Sequence, residues 1–410
     1  MPLLRNWRKK LVTKSDDKRV PALRFKGFTD EWEQRKLGNL VTFSKGKGYT
    51  KKDLTEKGVP IFLYGTLYTN FHEKYDDIHT YVKMRSGSII SNGSEVVLPD
   101  SGETALDIAR ASWISKKGVI LAGGLLILYP KDNISSEFLA YSLTYGRNHK
   151  TIATKAQGKS IVHIHKNDLE NIFYRYPRNV NNQKRIIKIL DKLNKCILLQ
   201  QRKVKLINKL KNALLTHFIS KTSSQSASKT LKDITNIRGG YAFKSSEFTK
   251  SGFPVIKIAN ISQNGEIEGP YSYVLSLKSD YQLAKNDIVL AMSGATTGKI
   301  ARVNSNNIYL QNQRVGYFVN NHKIDYNYLY YLLISDQFKR QLERILISGA
   351  QPNVSASDIE KFKFVILKSK KQQSKISTLF KHIDYALKAG NNKIHTLIQI
   401  KQFLLQNMFI

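Results

Sequence analysis

The chain has one cysteine, Cys196, in 410 residues, which excludes an intrachain disulfide framework and a zinc site built on paired cysteines. A reducing, cytoplasmic setting and a metal-free fold are expected. Acidic residues are scarce: 31 Asp+Glu stand against 66 Lys+Arg, a formal charge of +35. A fold tolerates such self-repulsion when a polyanion relieves it, so nucleic acid is the expected partner. No apolar run approaches the roughly 18 residues that cross a bilayer. No signal-peptide pattern opens the chain, and no membrane role is expected.

Catalytic signatures are missing too. Ala153 to Ser160 reads Ala-x-x-x-x-Gly-Lys-Ser and lacks the first glycine that curls a P-loop around phosphate. Gly294 to Lys299 has the wrong spacing, and neither segment has a candidate magnesium carboxylate, so an ATPase is not expected. After Pro99-Asp100 no acidic residue is followed two positions later by Lys, which leaves a metal-dependent nuclease incomplete. A Gly-rich loop for S-adenosylmethionine and an Asn/Asp-Pro-Pro-aromatic segment are both absent. The nine histidines are dispersed. His163 and His165 alternate as on a polar strand face and lack Cys or carboxylate partners at ligand spacing. Cys196 adjoins an apolar seam and reads as a packing residue. No catalytic residue and no metal ligand is assigned.

What is present is a tandem repeat. The chain length predicts two or three domains at roughly 150 residues each, and 41% apolar residues can fill a core in each. Leu37-Gly38-Asn39-Leu40 returns as Leu231-Lys232-Asp233-Ile234, and Gly58-Val59-Pro60-Ile61 as Gly252-Phe253-Pro254-Val255, both at an offset of 194. Glu95-Val96-Val97-Leu98, Ser101-Gly102 and Ile108-Ala109 match Asp287-Ile288-Val289-Leu290, Ser293-Gly294 and Ile300-Ala301 at 192, and Phe138-Leu139 with Tyr141 matches Tyr328-Leu329 with Tyr331 at 190. Ordered anchors with small drifts are two copies of one fold separated by loop insertions. Each copy reads as a mixed α/β unit of short strands, with an amphipathic helix near 136–145 or 325–341.

Each copy closes with a long helical pattern. From Ile186, steps of four and three visit Leu190, Leu193, Ile197, Gln200, Val204, Ile207, Lys211, Leu214 and Phe218, and eight of these ten positions are apolar. From Ile376 the same steps visit Phe380, Ile383, Leu387, Gly390, Ile394, Leu397, Lys401, Leu404 and Met408, with breaks at the same two places. That is a coiled-coil seam over four heptads. A helix from Ile186 to Phe218 is ~50 Å long, too long for one small domain, and its natural partner is the matching helix of the other copy. Residues 183–221 hold 11 Lys+Arg and one Asp, which suits a solvated face and a spacer crossing a phosphate backbone alike. Thr222 to Ser228 has linker composition.

Polar, Gly-containing turns recur at equivalent places. The first copy offers Lys45, Lys47 and Tyr49, then Ser101 and Thr104, then Lys155, Gln157 and Lys159. The second offers Tyr241 and Lys244, then Ser293, Thr296, Thr297 and Lys299, then Gln311, Gln313 and Arg314, then Gln351 and Asn353. Glycine lets backbone approach DNA, lysine neutralises phosphate, and Gln, Asn and Arg make bidentate bonds to base edges. These residues are the candidate DNA contacts.

The chain resembles the specificity subunits of type I restriction-modification systems. The resemblance rests on Pro21-Ala22-Leu23-Arg24-Phe25-Lys26-Gly27-Phe28 followed by Glu31-Trp32-Glu33 and Lys36-Leu37-Gly38, on the turns at Ser101 to Thr104 and Ser293 to Lys299, and on Gln183-Lys184-Arg185-Ile186. It implies an α/β (α+β) fold with two pseudo-symmetric target-recognition domains joined by two long helices in an antiparallel coiled coil. The boundaries expected are a basic extension at 1–20, a first recognition domain at 21–182, spacer helices at 183–221 and 370–410, a linker at 222–230 and a second recognition domain at 231–369. It further implies a non-catalytic subunit that reads a split site in double-stranded DNA and binds two methyltransferase and two restriction subunits. S-adenosylmethionine, ATP and magnesium would then belong to those partners. The competing expectation is a coiled-coil scaffold that binds nucleic acid or anionic surfaces without reading sequence.

Overall fold

The computed structural model describes residues 20–28, 30–131, 133–158, 161–220, 226–348 and 353–409. It divides into two compact units, Met1–Gln200 with Lys393–Ile410, and Gln201–Asn392. Of the basic extension expected at 1–20, all but Val20 lies outside the described residues. No described helix is long and apolar enough to cross a membrane.

In the first unit a five-stranded sheet runs in the order 41–45, 125–130, 96–99, 112–114, 74–75, and a four-stranded sheet in the order 120–121, 59–62, 81–82, 54–55. Val96–Pro99 and the first four residues of Leu125–Pro130 are buried and lie side by side, because both faces of that sheet are covered. The second unit repeats this plan, with sheets ordered 237–238, 315–318, 288–291, 300–302 and 248–249, 272–274, 253–256, 309–311, 282–283. Gly58 and Gly252 show why the repeated Gly-x-Pro-x anchor needs its glycine. Both have positive φ, at 153° and 128°, and a Cβ there would strike the carbonyl of Val82 or Val274 on the adjacent strand.

Two expectations are corrected. The linker expected at 222–230 is a strand from Ser226 to Thr230, paired antiparallel with Lys363–Leu367. It repeats Glu33–Lys36 on Phe173–Tyr176. Its side chains are Ser, Ala, Ser, Lys and Thr, so only backbone hydrogen bonding marks it as strand. The helix expected near 136–145 is Ser136–Thr144, followed by a further helix Gly146–Ala153, whereas the single helix expected near 325–341 is two, Tyr326–Leu333 and Asp336–Ser348.

The two long helices span Val180–Ser220 and Lys370–Met408. The first starts three residues earlier than expected because the Asn179 side chain accepts from the Asn181 N–H at 2.8 Å, a cap before the first turn. Every seam position from Ile186 to Phe218 and from Ile376 to Met408 is buried or half-buried. In the first unit Leu405 and Met408 share a core with Ile186, Ile187 and Leu190, so the last turns of one helix meet the first turns of the other and the segments run antiparallel. In the second unit Leu215 and Ile219 share a core with Phe380, the same relation. Cys196 is exposed, off the seam, and does not pack.

A buried glutamine fastens each helix to its domain. Gln183 is fully buried; its amide donates to the carbonyls of Asn133 and Pro177, both at 2.9 Å, and accepts from the Ser135 N–H at 2.9 Å. Gln373 repeats this with the Leu367 carbonyl at 2.7 Å and the Asp325 N–H at 2.9 Å. Both anchor the start of the short helix that packs on the long one. The seam lysines are paired as well. Lys211 meets Asp384 at 2.6 Å, and Asp384 also accepts from the Tyr331 hydroxyl at 2.8 Å. Lys401 meets Glu73 at 2.9 Å, and Glu73 accepts from the Tyr145 hydroxyl at 2.7 Å. Burial would push the Glu73 carboxyl up, but Lys401 and Tyr145 outweigh it and hold it below its usual range.

Candidate nucleic-acid interface

The glycine turns are built by contact with the protein's own chain. A Cβ on Gly46 would run into the carbonyl of Ala122, and one on Gly240 into that of Asn312. The close backbone approach is therefore internal. It lets Gly46 N–H reach the Leu125 carbonyl at 2.9 Å and Tyr241 N–H reach the Gln311 carbonyl at 3.0 Å. Lys45 and Lys47 extend from the first turn into solvent, and Lys244 from the second.

Tyr49 is a correction: it is buried, and its side chain works inside the fold. Its hydroxyl lies 2.7 Å from Ser88 Oγ and accepts from the Arg85 N–H at 2.8 Å, while the Arg85 guanidinium covers the ring at 4.8 Å. Arg85 in turn pairs with Asp53. The Thr50 N–H and that guanidinium hold the Asp53 carboxyl below its usual value. The second copy uses the same clasp with different residues: Lys278 sits 4.9 Å over Tyr241, whose ring meets Phe243 at 4.8 Å and Tyr281 at 5.5 Å. Tyr241 stays half-exposed. Sequence reading missed Arg85 and Lys278; each follows a strand that pairs with the short strand after the turn, Leu54–Thr55 or Phe248–Thr249.

The remaining turns converge on one framework in each unit. In the first, Asp100 N–H reaches the Gly124 carbonyl at 3.0 Å and Ile164 N–H reaches the Asp100 carbonyl at 3.1 Å. In the second, Met292 N–H reaches the Arg314 carbonyl and Val354 N–H the Met292 carbonyl, both at 3.0 Å. Ser101, Thr104 and Gln157 thus gather in the first unit, and Ser293, Thr296, Thr297, Lys299, Gln313, Arg314 and Asn353 in the second. Lys159 and Gln351 lie outside the described residues.

Within these groups the side chains differ in exposure. Lys155, Gln157, Gln313, Arg314 and Asn353 are exposed. Gln157 and His163 exchange backbone hydrogen bonds at 2.9 and 2.7 Å, which holds the loop while leaving both side chains outside. The His163 and His165 rings stack at 6.5 Å, and no group of three His, Cys, Asp or Glu fit for a metal occurs among the described residues. Thr104 is exposed yet already bonded, accepting from Asp107 N–H at 3.1 Å as the cap of Ala105–Ile108. Thr297 donates to the Gly294 carbonyl at 2.7 Å. Ser101 is half-buried in a two-residue pair with Val162–His163. Lys299 and Thr296 are half-buried, and Ser293 is buried.

Gln311 is the second correction. It is fully buried, donates to the carbonyls of Arg238 at 2.8 Å and Val315 at 2.6 Å, and accepts from the Arg238 guanidinium at 3.2 and 3.3 Å. With its amide fully used, it holds the turn that presents Gln313 and Arg314 and does not reach DNA.

The family described as type I restriction modification DNA specificity domain matches this chain twice, over residues 29–211 and 224–399. The type I restriction enzyme MjaVIII specificity subunit of Methanocaldococcus jannaschii is 28% identical over 353 residues, 79% of this chain and 80% of that protein. The fold is similar to that of the S subunit of a type I restriction-modification system from M. genitalium, with a TM-score of 0.61 at 18% identity over 95% of this chain and 99% of that one. It is also similar to a chain solved in work on complex assembly and conformational transition of the type I R-M system, with a TM-score of 0.58 at 13% identity over 91% and 96% of the two chains.

Proposed function

The chain belongs to the type I restriction-modification DNA specificity family, and from that premise we propose that it reads a bipartite site in double-stranded DNA, one half with each unit. The observation that carries this reading is the repeated loop framework. Equivalent backbone in both units presents unlike exposed side chains: Gln313 and Arg314 occupy the turn whose counterpart in the first unit is Gly123-Gly124. A scaffold has no need of matched frames with different contents. Lys45, Lys47, Lys155 and Lys244 serve phosphate, whereas Gln157, Gln313, Arg314 and Asn353 face base edges.

The helices set the gap between half-sites and dock two methyltransferase subunits, with two restriction subunits joining the full enzyme. Exposed leucines off the seam, at Leu198, Leu199, Leu206 and Leu210, support a protein partner on the first helix. This chain is the non-catalytic member; S-adenosylmethionine, ATP and magnesium are used by its partners. The reading places the complex on cytoplasmic DNA.

Affinity for a duplex selected from a random library should exceed that for random duplex by at least the ~10³-fold typical of specific binders, and both should fall steeply with salt. Methyl transfer should require an added methyltransferase subunit. Equal affinity for selected and random duplex, or methyl transfer by the chain alone, would overturn the proposal.

A further inference from the structure

The two units offer opposite chemistry at equivalent positions. In the second unit the turn after the strand Tyr309–Gln311 presents Gln313 and Arg314, both exposed. In the first unit that turn is Gly123-Gly124, and the Tyr64 ring lies over Gly124 within 3.0 Å of where a Cβ would stand. Leu106 occupies the place of Gly298, with Ser101-Gly102 matched to Ser293-Gly294. Tyr64, Leu106 and Ile161 are large apolar residues left 43%, 62% and 58% exposed.

Each of these three residues is connected to the turn at Ser101-Gly102 through one neighbour. The Tyr64 ring meets Tyr68 edge-on at 6.5 Å, and the Tyr68 hydroxyl donates to the Ser101 carbonyl at 2.7 Å. Leu106 lies on the one-turn helix that Thr104 caps. Ile161 immediately precedes Val162, which pairs with Gly102. Lys155, Gln157 and His163 are exposed around them. Glu103, also exposed at the tip, repels phosphate and suits a segment that enters a groove rather than one that tracks the backbone.

We propose that the first unit recognises thymine by its C5-methyl group through the apolar tip of Tyr64, Leu106 and Ile161. This rests on the sequence-reading function proposed above. The thymine methyl is the apolar feature that DNA displays in the major groove. The tip continues the loop framework that presents the other base-facing residues, and the charge of +35 favours DNA as its occupant over another basic surface.

The test uses the full chain and a duplex selected from a random library. Each thymine of the selected duplex is replaced singly by deoxyuridine, which removes one methyl group and leaves charge and pairing unchanged. At one or two positions affinity should fall about fourfold, the equivalent of one buried methyl group. Leu106→Asn and Ile161→Asn should bind the thymine and uracil duplexes alike at those positions, with melting temperatures unchanged because both side chains are exposed. A target without thymine, uracil substitution without effect anywhere, or variants that keep the full uracil penalty would overturn the inference. So would variants that lose a methyltransferase subunit while keeping that penalty, since the tip would then be a protein contact. A chain that selects no sequence at all would overturn the reading beneath it, a distinguishable result.

Discussion

Gln311→Ala separates a residue that reads DNA from one that holds the reader. In the structure the side chain is fully enclosed and makes four hydrogen bonds, two as donor to backbone carbonyls and two as acceptor from Arg238. Arg238 keeps another bond, to the Gln282 carbonyl at 3.0 Å, so its loss is partial. The carbonyls of Arg238 and Val315 lose a buried donor, at about 1–3 kcal/mol for each unsatisfied group. A total near 3 kcal/mol follows, which lowers the melting temperature of a domain this size by roughly 6–12 °C. Gln311→Glu, which keeps a partner for Arg238 but turns an oxygen toward two carbonyls, should be at least as damaging. Gln313→Ala, two residues away and exposed, should leave stability within about 0.5 kcal/mol. Thermal unfolding of the variants is paired with selection from a randomised duplex library below the lowest melting temperature. Gln311→Ala should select the wild-type sequence at reduced stability, whereas Gln313→Ala should relax one base choice by about 1–3 kcal/mol. A Gln311→Ala protein of wild-type stability with a relaxed base choice would refute the reasoning.

Lys211→Met should destabilise the second unit by about 2 kcal/mol, because Asp384 loses its ammonium partner. Lys211→Met with Asp384→Leu should recover most of that loss, as measured by denaturant unfolding. One heptad added at matched places in both long helices keeps the seam in register and lengthens each by ~10 Å; methylated-adenine mapping should show a wider gap between unchanged half-sites. Exchange of the second reader with that of a similar two-copy protein should change one half-site only. The block must begin at Ser226, since a cut at 231 parts the strand Ser226–Thr230 from its partner Lys363–Leu367, and such a chimera should be recovered in lower soluble yield. Burial first, and the adjacent Asp191 carboxylate second, push Glu137 up from 4.5 to about 7. Between those values the folded chain holds a proton that the unfolded chain has released, so this group's contribution to stability falls as pH rises across the window. Glu137→Gln should flatten that decline in melting scans between pH 5 and 8.

The repeat, the long helices and the absence of a catalytic motif were legible in residue order alone, because each is written in local pattern. Apolar spacing at four and three residues needs no knowledge of what lies opposite, and the seam from Ile186 to Phe218 and from Ile376 to Met408 is the least exposed side of both helices. The turns were legible as well, since glycine with polar neighbours marks them wherever they fold. What those residues touch was decided only by tertiary structure. Gly46 and Gly240 looked like places for the chain to approach DNA and are places where the chain approaches itself. Tyr49 and Gln311 carry the same chemistry as their exposed neighbours, and only packing turns them inward, where their polar atoms are consumed. Ser226–Thr230 is strand for a reason its side chains do not record, namely the hydrogen-bonding edge of Lys363–Leu367. The contrast between Gly123-Gly124 under Tyr64 and Gln313-Arg314 in the open emerges only when strands distant in sequence fix which turns are equivalent. Local periodicity encodes elements, whereas burial and pairing depend on segments far apart along the chain.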